Sequence, residues 1–333
     1  MTSLHQDPSA CVVLVCDDVA DVGLDFLREA GYDVRNRAGL SRAALFEEVA
    51  DADVLMVRSR TRVDAAVLSA SSRLSLVARA GFPLDTIDVD EATRRGIAVM
   101  HSPTGNEMAA AEFAIGLLYS LARQIPQAAA YMREGRWEKR RLRGLELTGK
   151  TLGVLGMGAV GRIVVQRAVA MDMRVLVHDP AVSASDVRAL GAKSVNWEGL
   201  LPQCDFITVH VSPSERTRGL IGDAAFEHMK DRVRIINCSR GGVIEEEALV
   251  RAIRSGKVAG AAVDAWDEEP PTGSPLLGMR EVICTPHLVA TTFEAQLNVA
   301  RRMARQVHDF ISSGQADNVV NTEALSALRA SGE

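Results

Sequence analysis

The sequence has few aromatic residues and few cysteines. Aromatic residues make up 4% of the 333 residues, and the five cysteines are an odd number with no pair at metal-binding spacing. A disulfide framework and a zinc site are therefore not expected. The cysteines are interpreted as small buried side chains of a protein in the reducing cytoplasm.

The sequence also has no excess of positive charge and no long apolar segment. Its net charge of −5 does not provide the electrostatic footprint of a nucleic-acid-binding protein. The longest apolar stretch, at 109–122, contains Glu112 and is too short to cross a bilayer. A short apolar run at 11–16 is followed by acidic residues, which does not fit a secretory signal. We therefore expect neither nucleic acid nor membrane among the partners.

Short β-rich runs alternate with helical patterns along the whole chain, and 47% of the residues are hydrophobic. This alternation predicts an α/β protein with parallel sheets covered on both faces. The predicted strands lie at 11–16, 32–35, 53–57, 74–78, 97–101, 151–155, 174–178, 206–211, 233–237, 258–263 and 282–285. The predicted helices lie at 20–30, 41–50, 63–70, 87–95, 106–134, 159–170 and 293–311.

The strand–helix pattern restarts at 151 and ends with a helical stretch at 293–311, which has nothing after it to form a domain of its own. We expect that helix to return to the first half. The prediction is two doubly wound parallel-sheet domains: a discontinuous substrate domain of residues 1–103 plus 291–333, and a Rossmann dinucleotide-binding domain of residues 104–290. Two chain crossings would form a hinge, with the site in the cleft between the halves.

A glycine-rich turn follows the predicted strand at 151–155. Its sequence is Gly156-Met157-Gly158-Ala159-Val160-Gly161, and an apolar helix pattern begins within it. Such glycines allow the close approach of a pyrophosphate, and the amides at the helix start bind its phosphates. The next predicted strand leads into Asp179, whose carboxylate accepts ribose hydroxyls and repels a 2′-phosphate. The pattern predicts NAD as the cofactor, and the alternative is a glycine turn without a ligand.

Three polar residues follow predicted strands of the second half: Arg240, Glu269 and His287. Reduction of a 2-oxo acid needs a proton donor, and histidine serves near neutral pH. A carboxylate that is hydrogen-bonded to an imidazole fixes the tautomer of that imidazole. Arginine binds a substrate carboxylate with two parallel hydrogen bonds. The set therefore predicts a 2-hydroxyacid dehydrogenase. Taken singly, each residue also has a structural interpretation, as a turn residue, a core histidine or a turn cap.

With these motifs in this order, the sequence resembles the D-isomer-specific 2-hydroxyacid dehydrogenase family almost end to end. The motifs that carry the resemblance are GVLGMGAVGR at 153–162, HDP at 178–180, VHVSP at 209–213, INCSRGG at 236–242, VDAWDEEP at 263–270 and TPH at 285–287. The resemblance implies that Arg240 binds and polarises the substrate, that Glu269 tunes His287, and that His287 exchanges the proton.

The resemblance also implies a set of NAD contacts and a homodimer joined largely through the nucleotide domains. Asp264 matches a position that faces the nicotinamide carboxamide. The implied cofactor-binding residues are Gly156, Gly158, Ala159, Val160, Gly161, Asp179, His210, Pro213, Cys238, Ser239 and Asp264.

Within the family, the sequence is most similar to the 3-phosphoglycerate dehydrogenase branch. The similar segments are VRS at 57–59, RAG at 79–81 and GRW at 135–137. In that branch, basic residues receive the phosphate, a role implied here for Arg58, Arg60 and Arg79. The alternative is that they are solvated charges at strand ends. The basic run at 133–143 either leans toward a partner's cleft or forms a solvated surface. Feedback control through a module after residue 333 is not expected.

One loop departs from the family pattern. The family usually has a second glycine followed by Asp-Asn, whereas this sequence has Gly81-Phe82-Pro83-Leu84-Asp85. Pro83 has no N–H group, so we expect one amide donor fewer for the substrate carboxylate. Gly81 and Phe82 complete the expected substrate-binding residues, with Phe82 as an apolar wall.

The expected function is NAD-dependent interconversion of a 2-hydroxy acid and a 2-oxo acid, including acids with a second anionic group such as 3-phosphoglycerate. Two alternatives stay open. One is a catalytically idle homologue whose altered loop binds another ligand, and the other is a co-repressor-like NAD-binding protein.

Overall fold

The apolar runs of the sequence build two separate parallel sheets, one in each of two units of the chain. The computed structural model describes residues 8–81, 84–102, 104–212, 214–315 and 317–322. The first unit comprises Met1–Asn106 and Thr292–Glu333, and the second comprises Glu107–Thr291.

The first unit contains a five-stranded sheet in the order β2-β1-β3-β4-β5. Its strands are β1 (Val12–Val15), β2 (Asp33–Asn36), β3 (Val54–Val57), β4 (Leu76–Arg79) and β5 (Ala98–His101). The connecting helices are α1 (Asp21–Glu29), α2 (Arg42–Val49), α3 (Ala65–Ser69) and α4 (Val89–Arg94). Every residue of β1, β3 and β4 is buried, as expected for a sheet covered on both faces.

The second unit contains a seven-stranded sheet in the order β12-β11-β10-β9-β6-β7-β8. Its strands are β6 (Thr151–Leu155), β7 (Arg174–His178), β8 (Lys193–Ser194), β9 (Phe206–Val209), β10 (Val233–Asn237), β11 (Val258–Val263) and β12 (Val282–Cys284). Its helices are α5 (Glu107–Arg123), α6 (Ile125–Arg133), α7 (Ala159–Ala170), α8 (Ala184–Ala189), α9 (Trp197–Leu200), α10 (Asp223–His228) and α11 (Glu246–Arg254). The strand order reverses between β6 and β9, and ligands bind such sheets at the carboxyl ends near this point.

The final helix, α12 (Phe293–Ser313), belongs to the first unit and packs against α1. Gly23 of α1 permits this approach, because a Cβ atom there would lie 2.6 Å from the carbonyl oxygen of Ala300. The buried side chains of Met303, Val307 and Phe310 on α12 join the apolar core on one face of the sheet.

All the predicted strands are present, each ending within two residues of its expected ends, and all pair in parallel. The strand that the sequence did not predict is β8, which is two polar residues long at the sheet edge. Across the described ranges, no helix combines the length and apolar character that a bilayer-spanning segment requires.

The prediction of one helix over residues 106–134 is wrong, because the chain breaks between α5 and α6. Gln124 at the break has a φ of 53°, and a proline, Pro126, stands in the first turn of α6. Proline has no N–H group to donate to the carbonyl four residues earlier. That carbonyl, of Ala122, instead accepts a hydrogen bond from the N–H of Leu145 at 2.7 Å.

Candidate active site

The glycine turn joins β6 to α7 at the point where the strand order reverses. Gly156 has a φ of 87°, and a Cβ atom there would lie 2.6 Å from the carbonyl oxygen of His210, which follows β9. A Cβ atom on Gly161 would collide with the carbonyl oxygen of Gly156, whereas Gly158 faces open space. The N–H groups of the first turn of α7 have no acceptor within the helix. The turn therefore offers backbone donors beside an open surface, and these residues fit a dinucleotide phosphate.

Asp179 follows β7 and is held against the glycine turn. Its Oδ2 atom accepts a hydrogen bond from the N–H of Met157 at 2.7 Å, and its Oδ1 atom accepts one from the N–H of Ala181 at 2.9 Å. A carboxylate has about four acceptor sites. Two backbone donors therefore orient Asp179 and leave acceptor capacity for the hydroxyls of a ligand.

His210 and Cys238 follow the neighbouring strands β9 and β10. The Nε2 atom of His210 lies 3.0 Å from the hydroxyl oxygen of Thr208, and burial lowers the pKa of His210 to about 4. His210 is therefore neutral at pH 7. Burial and, to a lesser degree, the charge of Asp264 raise the pKa of the Cys238 thiol to about 12, so this cysteine packs as a neutral side chain.

The loop that carries Arg240 is shaped by Asn237, the buried last residue of β10. The Asn237 Oδ1 atom accepts hydrogen bonds from the N–H and the hydroxyl of Ser239 at 3.1 and 2.9 Å, and its Nδ2 atom donates to the carbonyl of Arg240 at 2.9 Å. The Nη1 atom of Arg240 donates to the carbonyl of Ser239 at 2.7 Å. Sequence reasoning missed Asn237. The available signal was a polar residue at the end of an apolar strand.

His287 and Glu269 lie side by side. The His287 Nδ1 atom is 2.7 Å from the Glu269 Oε1 atom, which also accepts a hydrogen bond from the N–H of Trp266 at 3.3 Å. The His287 side chain is 33% exposed, and the described residues supply no hydrogen-bond partner for its Nε2 atom. This nitrogen is therefore the one available to a ligand. The backbone of His287 has a φ of 53°, in the left-handed region that non-glycine residues rarely occupy.

Asp264 follows β11 and is fully buried. Its Oδ1 atom accepts hydrogen bonds from the hydroxyl of Thr285 at 2.6 Å and the N–H of Leu288 at 2.8 Å. Its Oδ2 atom accepts one from the N–H of Val289 at 3.0 Å. Because β10, β11 and β12 are adjacent and parallel, the loops of Arg240, Asp264 and His287 meet at one edge of the sheet.

Two of the predicted phosphate-binding residues, Arg58 and Arg79, lie at the carboxyl edge of the sheet of the first unit. Arg79 ends β4 and is only 4% exposed. Burial lowers the pKa of its guanidinium, and Asp85 and Asp17 oppose this shift. Asp17 also accepts hydrogen bonds from the N–H of Arg58 at 2.5 Å and the N–H of Thr61 at 3.2 Å, so it orders the loop after β3.

Two other predicted substrate positions, Arg60 and Gly81, follow the interior strands β3 and β4. Arg60 is exposed, and a Cβ atom on Gly39 would lie 3.6 Å from its Nη1 atom. The N–H of Gly81 donates to the carbonyl of Arg79 at 2.8 Å, with a φ of 138° at Gly81. Phe82, Pro83 and Pro213 lie outside the described residues, so their expected roles stay predictions.

Known proteins match this chain over most of its length. A D-3-phosphoglycerate dehydrogenase from Archaeoglobus fulgidus is 43% identical over 314 residues, which are 94% of this chain and 60% of the relative. The human D-3-phosphoglycerate dehydrogenase is 42% identical over 315 residues, 95% of this chain and 59% of the relative. The chain therefore spans about 60% of the length of these curated relatives.

A solved structure has the same fold. The TT0316 protein from Thermus thermophilus superposes with a TM-score of 0.83 at 32% identity, covering 93% of this chain and 99% of that one. Residues 115–289, more than half of the chain, match the family model "D-isomer specific 2-hydroxyacid dehydrogenase, NAD binding domain". The glycine turn and the seven-stranded sheet lie within the unit that contains these residues. The chain therefore belongs to the D-isomer specific 2-hydroxyacid dehydrogenase family, with an NAD-binding domain at residues 115–289.

Proposed function

We propose that the chain is an NAD-dependent dehydrogenase that interconverts a 2-hydroxy acid and a 2-oxo acid. The observation that carries the proposal is the 2.7 Å contact between His287 Nδ1 and Glu269 Oε1, in the same unit as the glycine turn. The family membership and the relatives named D-3-phosphoglycerate dehydrogenase support it. They also favour an enzyme over an idle or co-repressor-like homologue.

NADH, when bound, supplies the hydride that reduces the 2-oxo carbon. Glu269 accepts a hydrogen bond from the Nδ1–H of His287, which leaves Nε2–H directed to the substrate oxygen. In reduction, Nε2 gives its proton to that oxygen, and in oxidation it takes the proton from the hydroxyl. The Arg240 guanidinium binds the substrate carboxylate and stabilises the charge that develops on the oxygen.

Cofactor choice should follow Asp179, whose carboxylate sits beside the glycine turn. It would accept the ribose hydroxyls and repel a 2′-phosphate. Gly158, Ala159, Val160 and Gly161 would surround the pyrophosphate. We predict that Asp179→Ala weakens NADH binding and reduces discrimination against NADPH, measured by fluorescence titration with both cofactors. A wild-type preference for NADPH would contradict this role.

We further propose a substrate with a second anionic group, such as 3-phosphoglycerate. Arg58 and Arg79 lie near each other at the carboxyl edge of the first sheet, because Val57, the residue before Arg58, pairs with Arg79 across β3 and β4. The D-3-phosphoglycerate dehydrogenases among the relatives support this class. The Arg60 guanidinium lies near Gly39 and therefore gives less support to this substrate class.

The test is NADH oxidation with a panel of 2-oxo acids at saturating cofactor. The panel is glyoxylate, pyruvate and the phosphorylated 2-oxo acid formed by oxidising 3-phosphoglycerate. We expect the largest kcat/KM for the phosphorylated acid. A preference for pyruvate would reject the proposed substrate class and keep the reaction class, whereas inactivity with every member would reject both.

We infer that the chain forms a homodimer in the cytoplasm. The second unit exposes several large apolar side chains on α5, α6 and the segment after them: Met108, Tyr119, Ile125, Met132 and Trp137. Single exposed apolar side chains are ordinary, whereas Met108 and Tyr119 lie about three turns apart on one face of α5 and so favour a protein partner there. All five cysteines are unpaired thiols, which suits a reducing compartment. Sedimentation velocity tests the dimer, and Trp137→Asp should shift it toward monomer.

A further inference from the structure

One buried carboxylate holds the loop of His287 from both sides. The Asp264 carboxylate accepts a hydrogen bond from the hydroxyl of Thr285, two residues before the histidine. It also accepts hydrogen bonds from the N–H groups of Leu288 and Val289, just after the histidine. The three donor–acceptor distances are 2.6, 2.8 and 3.0 Å. The histidine between them has the left-handed φ of 53°.

We propose that Asp264 and Thr285 form a clamp that positions His287, a role that rests on the proposed function of His287 as the proton donor. Asp264 and Thr285 are positioning residues, because their contacts reach the imidazole only through the backbone of the loop. The clamp keeps His287 in a conformation that an unrestrained histidine seldom adopts. In that conformation its Nδ1 atom meets Glu269.

Trp266 connects the clamp to the carboxylate on the other side of the imidazole. Its indole Nε1 atom donates to the carbonyl of Thr285 at 3.0 Å, and its backbone N–H donates to the Glu269 Oε1 atom at 3.3 Å. Trp266 is itself buried. Thr285 and Glu269 are therefore tied to one rigid residue, so a shift of Thr285 should change the distance between His287 and Glu269.

This role differs from a direct contact between Asp264 and the nicotinamide, which the family resemblance implies. The Asp264 side chain is fully buried, and all three of its hydrogen bonds run to the His287 loop. Substituting Asp264 would not separate the two roles. Thr285 separates them, because it is not among the expected cofactor positions and yet supplies the shortest of the three bonds.

The test compares Thr285→Val, which keeps the shape and removes the hydroxyl, with Thr285→Ser, which keeps the hydroxyl. We expect Thr285→Val to lower kcat by roughly tenfold, since displacement of a catalytic group by less than about 1 Å costs up to about 10²-fold in rate, and to change the pH dependence of kcat. KM and the Kd for NADH should stay near the wild-type values. Thr285→Ser should restore both kcat and the pH profile. If Thr285→Val does not fold, Thr285→Ala replaces it.

A second readout does not depend on turnover. The chain has seven histidines, so selective ¹⁵N-histidine labelling gives few imidazole signals, and His287→Gln assigns one of them. We expect the His287 Nδ1 signal to shift in Thr285→Val and to return in Thr285→Ser. An unchanged signal and unchanged pH profile in Thr285→Val would overturn the clamp, as would a loss confined to thermal stability or NADH binding. Inactivity of the wild type would reject the proposed function and leave the spectroscopic result standing.

Discussion

At the scale of single residues, Arg240, Glu269 and His287 have different tasks, and their positions explain why their substitutions should differ. Among the described residues, His287 has no hydrogen-bond partner at Nε2, while Nδ1 is engaged by Glu269. Arg240 is partly held by its own loop through the carbonyl of Ser239. Removal of the proton donor should therefore affect turnover, and alteration of the cation should affect binding.

We predict that His287→Ala lowers kcat by roughly 10²–10⁴, the usual effect of removing a general acid. NADH binding should stay nearly unchanged, because the histidine is not part of the glycine turn. Arg240→Lys serves as the contrast and should chiefly raise KM, since an ammonium replaces a planar fork. Steady-state kinetics and fluorescence titration measure both effects. Full activity in His287→Ala would remove the proposed mechanism.

His210 should make the free energy of unfolding depend on pH below neutrality. The pKa of its imidazole is about 4 in the folded protein, because of burial, against an ordinary 6.5. Between these values the unfolded chain binds more protons than the folded one. The contribution of the neutral His210 imidazole to the free energy of unfolding is therefore complete above pH 6.5, and it is lost as the pH falls toward 4. From pH 7.5 to pH 5 the loss should be about 2 kcal/mol.

The measurement is the free energy of unfolding in urea at pH 7.5 and pH 5. His210→Gln should lose about 2 kcal/mol less than the wild type over this interval. His228→Gln is the matched control, because His228 is exposed on α10. Equal acid sensitivity in His210→Gln and the wild type would show that His210 is not neutral in the folded protein.

The sequence offered Arg240, Glu269 and His287 as candidates, because the proposed reaction requires these residue types beside predicted strands, and the structure brings Glu269 and His287 together. It did not reveal Asn237, Thr285 or Asp17 as partners. Their hydrogen bonds depend on how a loop folds back over the end of its strand, and the backbone path of a loop is set by tertiary packing rather than by local preference. The catalytic roles themselves stay predictions.

At the scale of secondary structure elements, two glycines in helices should respond in opposite directions to alanine. Gly23 in α1 is buried against α12, where a Cβ atom would lie 2.6 Å from the carbonyl oxygen of Ala300. Gly116 in α5 is exposed with nothing within 4 Å of its Cβ position. The packing of α1 against α12 therefore requires that residue 23 have no side chain, whereas a side chain at position 116 would meet no neighbour.

We predict that Gly23→Ala destabilises the protein by roughly 1–3 kcal/mol, because backbone atoms must move apart. Gly116→Ala should stabilise the dissociated monomer by about 0.5–1 kcal/mol through helix propensity, because Gly116 lies between Met108 and Tyr119 on the face proposed for the dimer. Thermal unfolding of both variants beside the wild type measures the difference. A neutral result for Gly23→Ala would mean that the contact between the two helices yields easily.

The predicted ends match the observed ones in β6, β7, β10 and β11, and they differ by one or two residues in the buried strands β1, β3, β4 and β9. The sequence prediction missed the helices α8 to α11, the break at Gln124 and the strand β8. The break at Gln124 depends on one proline and on the capture of the Ala122 carbonyl by Leu145. The strand β8 is polar and short, and it pairs only because β7 presents an open edge.

At the scale of the whole chain, each unit has its own apolar core, so damage to one should spare the other. Helix α12 offers a matched pair of phenylalanines: Phe310 is 2% exposed in the core of the first unit, and Phe293 is 86% exposed. Phe310→Ala should cost about 3–5 kcal/mol of unfolding free energy. Phe293→Ala should change it by less than about 0.5 kcal/mol.

Urea unfolding measures the stability of both variants, and fluorescence titration measures their NADH affinity at about 20 °C below the lower melting temperature, a margin chosen to lie outside the transition. We expect NADH affinity to be the same in both, because the glycine turn and Asp179 belong to the second unit. A loss of NADH affinity in Phe310→Ala alone would show that the two cores are not independent.

Helix α12 is made on the ribosome long after the sheet that it covers. The five strands of the first sheet end at His101, whereas α12 ends at Ser313. At about 5–20 residues per second, the interval between these two points is on the order of 10–40 s. During that time, among the helices that the structure describes, α1 is the only one from this core that covers that apolar face of the nascent sheet. We therefore expect ribosome-bound chains to need protection by a holding chaperone until the last helix emerges.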